Sequence, residues 1–477
     1  MMDYNVNAPG GEGLQQGPVF QYRYQGYPPV YKRPWFWAAV AAVLICAAFV
    51  TVLLLSGGSP GRYELTGNAG VVAAYDFYCS QQDSQDRLAG PFFKELGERL
   101  KNEPFEAEGT ISIGMDSLVN SFLPIGDVTL GVSAKYDLKD FGIRLGSMGT
   151  EISGYLIDDN IVVSFMGRAG SVPLELPEGL NIEKNMGLEE RIKVLLPFLP
   201  EDEVCLSLLE KFAHSIPDKY TEADSAQIYS PKDDKEVRMD VLTTTLDSEA
   251  IKEVILSLAD GIKSDKKLSR QLQDIIDKFT GFAGLEPQDL DGLIEDIEGA
   301  ADSEDMKDAE VSWSVYQRHG NNVGISFEFS AEDTEVKYTY MCEFDGNNSY
   351  ESTVSEVGGI RSEAVYEYNW QDGRIKFSGE SKTIVSEGTG NTAQLVGGVI
   401  EFSKNGGSEY DLTGDITIEG DIYNDILNSQ GGESYDMKID ATVKVGGGIE
   451  SLKEDRDWNG IYEKEWGSME DVFGWLF

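Results

Sequence analysis

Hydrophobic and polar positions along this chain follow three different rhythms. From Trp35 to Leu55 there is no rhythm: WFWAAVAAVLICAAFVTVLLL is apolar on every side and carries no charge. A helix of that length rises about 30 Å, the depth of a bilayer's hydrocarbon core. From Phe105 to about Pro173 the period is two. Val128, Leu130 and Val132 alternate with Thr129, Gly131 and Ser133, and Ile152–Leu156 and Ile161–Phe165 flank Asp158-Asp159-Asn160, which are turn residues. From 187 to 300 the period is mostly helical. Leu188, Ile192, Leu195, Leu196 and Leu199 form one stripe, and Leu206, Leu209, Phe212 and Ile216 a second. Ile251, Ile255, Leu258 and Ile262, then Leu268, Leu272, Ile275 and Phe279, then Leu290, Leu293, Ile294 and Ile297 complete the set. A hairpin near 226–246 interrupts it, turning at Pro231-Lys232-Asp233-Asp234-Lys235.

The two-residue period returns at 309 and persists to about 448. Val311, Trp313 and Val315 alternate with serines. Val336, Tyr338, Tyr340, Cys342 and Phe344 face one way, and Lys337, Thr339 and Glu343 the other. Turn residues fall between the runs at Gly320-Asn321-Asn322, Asp345-Gly346-Asn347, Gln371-Asp372-Gly373 and Asn405-Gly406-Gly407. One face apolar and one polar predicts an antiparallel sheet with one side wet. A first helix is predicted over Pro91–Asn102, with Phe93, Leu96 and Leu100 on one side.

The expected fold class is therefore α+β. A large curved antiparallel meander packs against a helical layer, after one transmembrane helix and a disordered tail. The expected organisation is 1–34 cytoplasmic tail, 35–55 span, 56–67 flexible stalk, 68–450 extracytoplasmic domain and 451–477 C-terminal segment. Two smaller α+β domains are the alternative to one. The tail is rich in Pro, Gly, Gln and Tyr and includes Pro28-Pro29-Val30-Tyr31, a PPxY pattern.

Charge orients the span. Arg23, Lys32 and Arg33 precede it and only Arg62 follows closely, so the N-terminus faces the cytoplasm and the large C-terminal part lies outside. The run is longer, and its leader longer, than a cleaved signal peptide has. The chain's net charge is −44, with 83 acids against 39 bases. Residues 1–34 hold a net of +1, which leaves −45 beyond the span. Such a field disfavours nucleic acid and anionic headgroups and keeps an exposed domain soluble. The acidic run from Glu286 to Asp308 reads as a solvated helix face.

Candidate chemistry is sparse. Asp455, Asp457 and Asn459, with the carbonyl of Ile461, form the first half of a calcium loop, D-x-D-x-N-G. Its twelfth position is Trp466 rather than a carboxylate, so calcium is a weak-site expectation beside an ordinary acidic turn. No other cofactor is expected. His214 and His319 lack metal or triad partners by spacing, and Ser264-Asp265-Lys266-Lys267 fits S-x-x-K only by pattern. Cys79, Cys205 and Cys342 allow one disulfide plus a thiol, or three buried thiols. The apolar end Val472-Phe473-Gly474-Trp475-Leu476-Phe477 docks into the domain or lies on a membrane surface.

The order of helix, strands from Phe105, helical block and long meander resembles the lipoprotein-carrier architecture, an open half-barrel that wraps helices around an apolar cavity. The whole chain is also similar to uncharacterised Gram-positive single-pass envelope proteins with a large acidic outer domain. These resemblances cover about 91–450 by pattern and imply non-enzymatic binding of an apolar lipid-like ligand or an envelope protein. A structural or adhesive surface protein and a carboxylate-based hydrolase are the alternatives.

Overall fold

The computed structural model describes residues 63–115, 128–147, 150–157, 160–165, 168–173, 200–283, 288–301, 306, 308–331, 334–385, 392–420 and 433–452. The tail, the 35–55 stretch, the 187–199 part of the first helical stripe, the Asp158-Asp159 turn, the calcium loop and the apolar C-terminal end lie outside them. Among the described residues no helix is long and apolar enough to cross a membrane.

Seventeen strands form one sheet. The first group is β1 (Phe105–Met115), β2 (Val128–Tyr136), β3 (Phe141–Ser147), β4 (Thr150–Ile157), β5 (Asn160–Phe165) and β6 (Arg168–Pro173). A hairpin of β7 (Thr221–Ser230) and β8 (Lys235–Leu246) follows the first part of the helical block. Then come β9 (Glu310–Arg318), β10 (Asn321–Ala331), β11 (Thr334–Asp345), β12 (Asn348–Val357), β13 (Ile360–Gln371), β14 (Arg374–Val385), β15 (Thr392–Asn405), β16 (Glu409–Gly420) and β17 (Glu433–Val445). Each strand pairs antiparallel with its neighbours in the chain, except at two places. β1 pairs with β17, which joins the two ends of the β-structure. No residue register is defined between β6 and β7 among the described residues.

The registers sort side chains as the alternation requires. Leu242, Val315, Ile325 and Tyr340 stand in line across β8–β11 on one face. Thr243, Ser314, Ser326 and Thr339 line the other. The expected wet and covered sides are thus present. Cover is partial: Ile143, Leu145 and Ile152 on β3–β4, and Tyr338, Val357 and Ile360 on β11–β13, remain exposed on the apolar face.

The helix predicted to start at Pro91 is the second half of a longer one, α1 (Ala69–Asn102). The Asn68 side chain caps it by accepting from the N–H groups of Gly70 and Val71, at 3.0 and 3.3 Å. Gly90 takes φ +69°, a region open to glycine, and Pro91 has no N–H to give, so the helix kinks there. Its first half lays Ala73, Ala74 and Phe77 on Val315, with Leu242, Ile325 and Tyr340 around them. Its second half lays Leu96 on Tyr410 and Val445, beside Phe92, Leu100, Phe105 and Phe402.

Four shorter helices follow: α2 (Asp202–Ser215), α3 (Ser248–Ser264), α4 (Lys266–Ala283) and α5 (Leu290–Ala301). α2 and α3 pack Ala213, Ala250 and Val254 against Val71, Tyr75 and Leu246. The stalk expected to run to residue 67 ends sooner. Leu65 is buried in that same cluster, and the Tyr63 hydroxyl donates to Glu210 at 2.7 Å.

Phe77→Ala should cost about 3–5 kcal/mol of stability, and Phe279→Ala, at an exposed helix position, less than about 1 kcal/mol. Denaturant unfolding of the two variants checks the difference.

Candidate functional site

The site grows from a mismatch between two strand registers. β7 and β8 pair from Thr221/Thr244 to Ser230/Lys235. β8 pairs with β9 only over Asp240–Leu246. Residues 226–230 and 235–239 therefore project past the β8–β9 ladder as a two-stranded arm. Five residues per strand reach about 17 Å. Such a hairpin has little stability of its own, so other contacts must hold it.

Two sets of contacts do. From the base to the middle of the arm, Met239, Ile228 and Val237 pack on Tyr316, Val323 and Met341. Tyr316 and Met341 belong to the polar face of the sheet by register, so the arm is folded over that face. At the tip one guanidinium gathers three partners. Arg318 donates to Glu343 at 2.7 Å, to Asp233 at 2.7 Å and to the Ser230 hydroxyl at 3.2 Å. Ser230 in turn donates to Glu343. Ser230 is fully buried and Glu343 is 5% exposed. A carboxylate so buried needs a charge partner, and Arg318 meets that need. The hydrogen bond from Arg318 holds the Asp233 carboxyl below the ordinary carboxylate range. Lys232 adds an ion pair to Asp345 at 3.0 Å. The Tyr229 hydroxyl donates to Asp234 at 2.9 Å, and burial, then that hydrogen bond, push the phenol up to about 12. Two residues in this corner, Asp234 and His319, hold φ of +49° and +53°.

Between the arm and the polar face of β12–β16 lies an open trough of about 1130 Å³. Its lining includes Asp234, Glu363, Glu367, Glu380, Asp415 and Glu419 against Lys232, Arg361 and Lys382. The bases are already committed: Arg361 to Glu363 at 2.6 Å, Lys382 to Glu380 at 2.8 Å, Lys232 to Asp345. Glu367, Asp415 and Glu419 make no ion pair among the described residues. The trough thus offers surplus negative charge at its far wall.

The opposite face holds a carboxyl of another kind. Glu351 stands across from Cys342 and Tyr366 in the ladder, on the apolar side. Burial pushes its carboxyl above the ordinary range, and the Tyr340 hydroxyl bond only partly offsets this. Burial also pushes the Cys342 thiol up to about 12 and the Cys205 thiol up to about 11. Cys79, Cys205 and Cys342 form no disulfide among the described residues.

The pattern-based candidates are not brought together. His214 lies 3.1 Å from the Thr66 hydroxyl, and His319 occupies the β9–β10 turn. Ser264 donates to Gly261 and Lys267 pairs with Glu203, so the S-x-x-K residues have other partners. Asp455, Asp457, Asn459 and Ile461 lie outside the described residues. Among the described residues no group of three or more His, Cys, Asp or Glu is placed to hold a metal ion.

No family model and no curated protein matches the chain. Solved structures match weakly. The CymD monoaromatic hydrocarbon channel is 8% identical with a TM-score of 0.22, over 80% of this chain and 99% of that one. A loop-deletion mutant of OmpT, an outer membrane protein of Vibrio cholerae, is 8% identical with a TM-score of 0.21, over 72% and 98%. Pseudomonas aeruginosa OpdO is 6% identical with a TM-score of 0.19, over 72% and 95%. Likeness at these scores carries no argument about fold or function. Asp233 and Glu343 carried only a turn and a strand signal in the sequence, and nothing there joined them to Arg318.

Glu351 supplies a pH test. Its carboxyl binds a proton more tightly folded than unfolded, so folding loses stability as pH rises from the ordinary carboxylate value through the raised one. Glu351→Gln should raise the melting midpoint by about 1–3 °C at about pH 7.5 and leave it unchanged at about pH 4. Thermal unfolding at both pH values checks this.

Proposed function

We propose that the chain is a non-enzymatic, single-pass membrane protein whose outer body binds a basic partner of the cell envelope in the trough. Residues 35–55 hold it in the membrane, with the short tail in the cytoplasm and the folded body outside. The uncharged 21-residue run and the three bases before it support the anchor.

One observation supports the binding reading: acids outnumber bases in the trough, where Glu367, Asp415 and Glu419 make no ion pair among the described residues and the lining bases are paired elsewhere. Surplus charge of one sign in a concavity draws and orients a partner of the other sign. An apolar, lipid-like ligand suits this lining poorly, because each charge would be stripped of water without a partner. An envelope protein or peptide with clustered lysines or arginines suits it.

The full chain in lipid nanodiscs, titrated with labelled deca-lysine at low salt, tests the reading. Glu367→Gln/Asp415→Asn/Glu419→Gln together should weaken binding about tenfold or more. Glu249→Gln/Asp291→Asn/Glu295→Gln, which removes as much charge from the helices, should weaken it far less. Equal losses from both triples would mean that the peptide answers to net charge alone, and the trough reading would fall.

A further inference from the structure

We propose that the arm of residues 226–239 is a movable strap that opens and closes over the trough, with Arg318 as its latch. The inference rests on the reading of the trough as a binding site, and concerns how that site is regulated.

Three independent features of the arm lead here. First, the arm lies beyond the last β8–β9 pair, Asp240↔Gln317, so no backbone hydrogen bond to the rest of the sheet restrains it. A natural hinge therefore falls between Met239 and Asp240 on β8 and between Ser225 and Ala226 on β7, which face each other in register. Second, side chains alone hold the arm down. The apolar contacts of Met239, Ile228 and Val237 run from the hinge to the middle of the arm. Everything at the tip converges on Arg318 or on the Lys232–Asp345 pair, whose Asp345 is 61% exposed. Third, the tip residues Tyr229, Pro231, Lys232 and Asp234 are themselves one wall of the trough. Lifting the tip widens the cavity, and seating it narrows the cavity.

The charged groups facing Arg318 from both sides of the junction are Asp233 on the tip and Glu343 on β11, with Ser230 between them. Lys232 and Lys235 stand near Asp233. Asp233 contributes its pairing above the ordinary carboxylate range, and that contribution disappears as pH falls through its lowered value. Acid thus loosens the tip, and neutral pH seats it.

Hydrogen exchange of the full chain in nanodiscs, read by mass spectrometry without any ligand, tests the strap. In Arg318→Gln the amides of residues 226–239 should exchange at least about tenfold faster, while β12–β16 exchange as in the wild type. Asp233→Asn, which leaves the Arg318–Glu343 pair in place, should give a smaller increase confined to the same residues. If neither variant changes the arm, or if arm and β12–β16 speed up together, the arm is an ordinary part of the sheet and the strap is wrong. A strap confirmed by exchange beside a trough indifferent to deca-lysine would overturn the binding reading alone. A fixed arm over a trough that binds the peptide would overturn the strap alone.

Discussion

The pairing of β1 with β17 is the constraint on which the other contacts depend. Eleven residue pairs, from Phe105↔Val445 to Met115↔Tyr435, join the first strand to the last. They make one ladder of two strand groups separated by the helical block. The corner where they meet is also where α1 ends. Arg99, in the last turn of that helix, donates to the carbonyls of Gly407 and Val445, to the Tyr410 hydroxyl and to Glu103. A single side chain thus ties the helix to β16, β17 and the entry to β1. The Leu96, Tyr410 and Val445 cluster packs directly beneath it. Without the β1–β17 pairing, the second half of α1 would have no continuous surface to lie on.

Much of this fold is legible in the sequence. Alternation gave β9 and β11, and glycine and asparagine residues gave four turns of the meander, because a one-residue slip would expose every apolar side chain. Helices α3–α5 were legible from their stripes. The first half of α1 was not. Its buried positions include Ala73, Ala74 and Gln81, which are too small or too polar to mark a stripe, and Pro91 looked like a beginning when it is a kink. The trough was not legible either. It depends on where the β8–β9 pairing stops and on Arg318 meeting Asp233 and Glu343, residues 85 and 25 positions away. Local periodicity holds no record of such distances.

The two faces of the sheet divide its chemistry. On the apolar face, burial shifts ionisable groups toward their neutral forms: Glu351, Cys342 and Tyr368, whose phenol it raises to about 12. On the polar face, the Arg318 guanidinium favours the charged form of Asp233. The same residue types thus serve packing on one side and electrostatics on the other, and the alternation along each strand decides which.

The meeting of β1 and β17 also governs how the chain can be made. Strand β1 leaves the ribosome more than three hundred residues before its partner exists. Until then one of its edges stays unpaired, a template for the wrong strand. Pairings between segments so distant in sequence are slow to form, because the intervening loop must first be closed. A nascent chain of this design keeps that edge exposed until its final strand emerges.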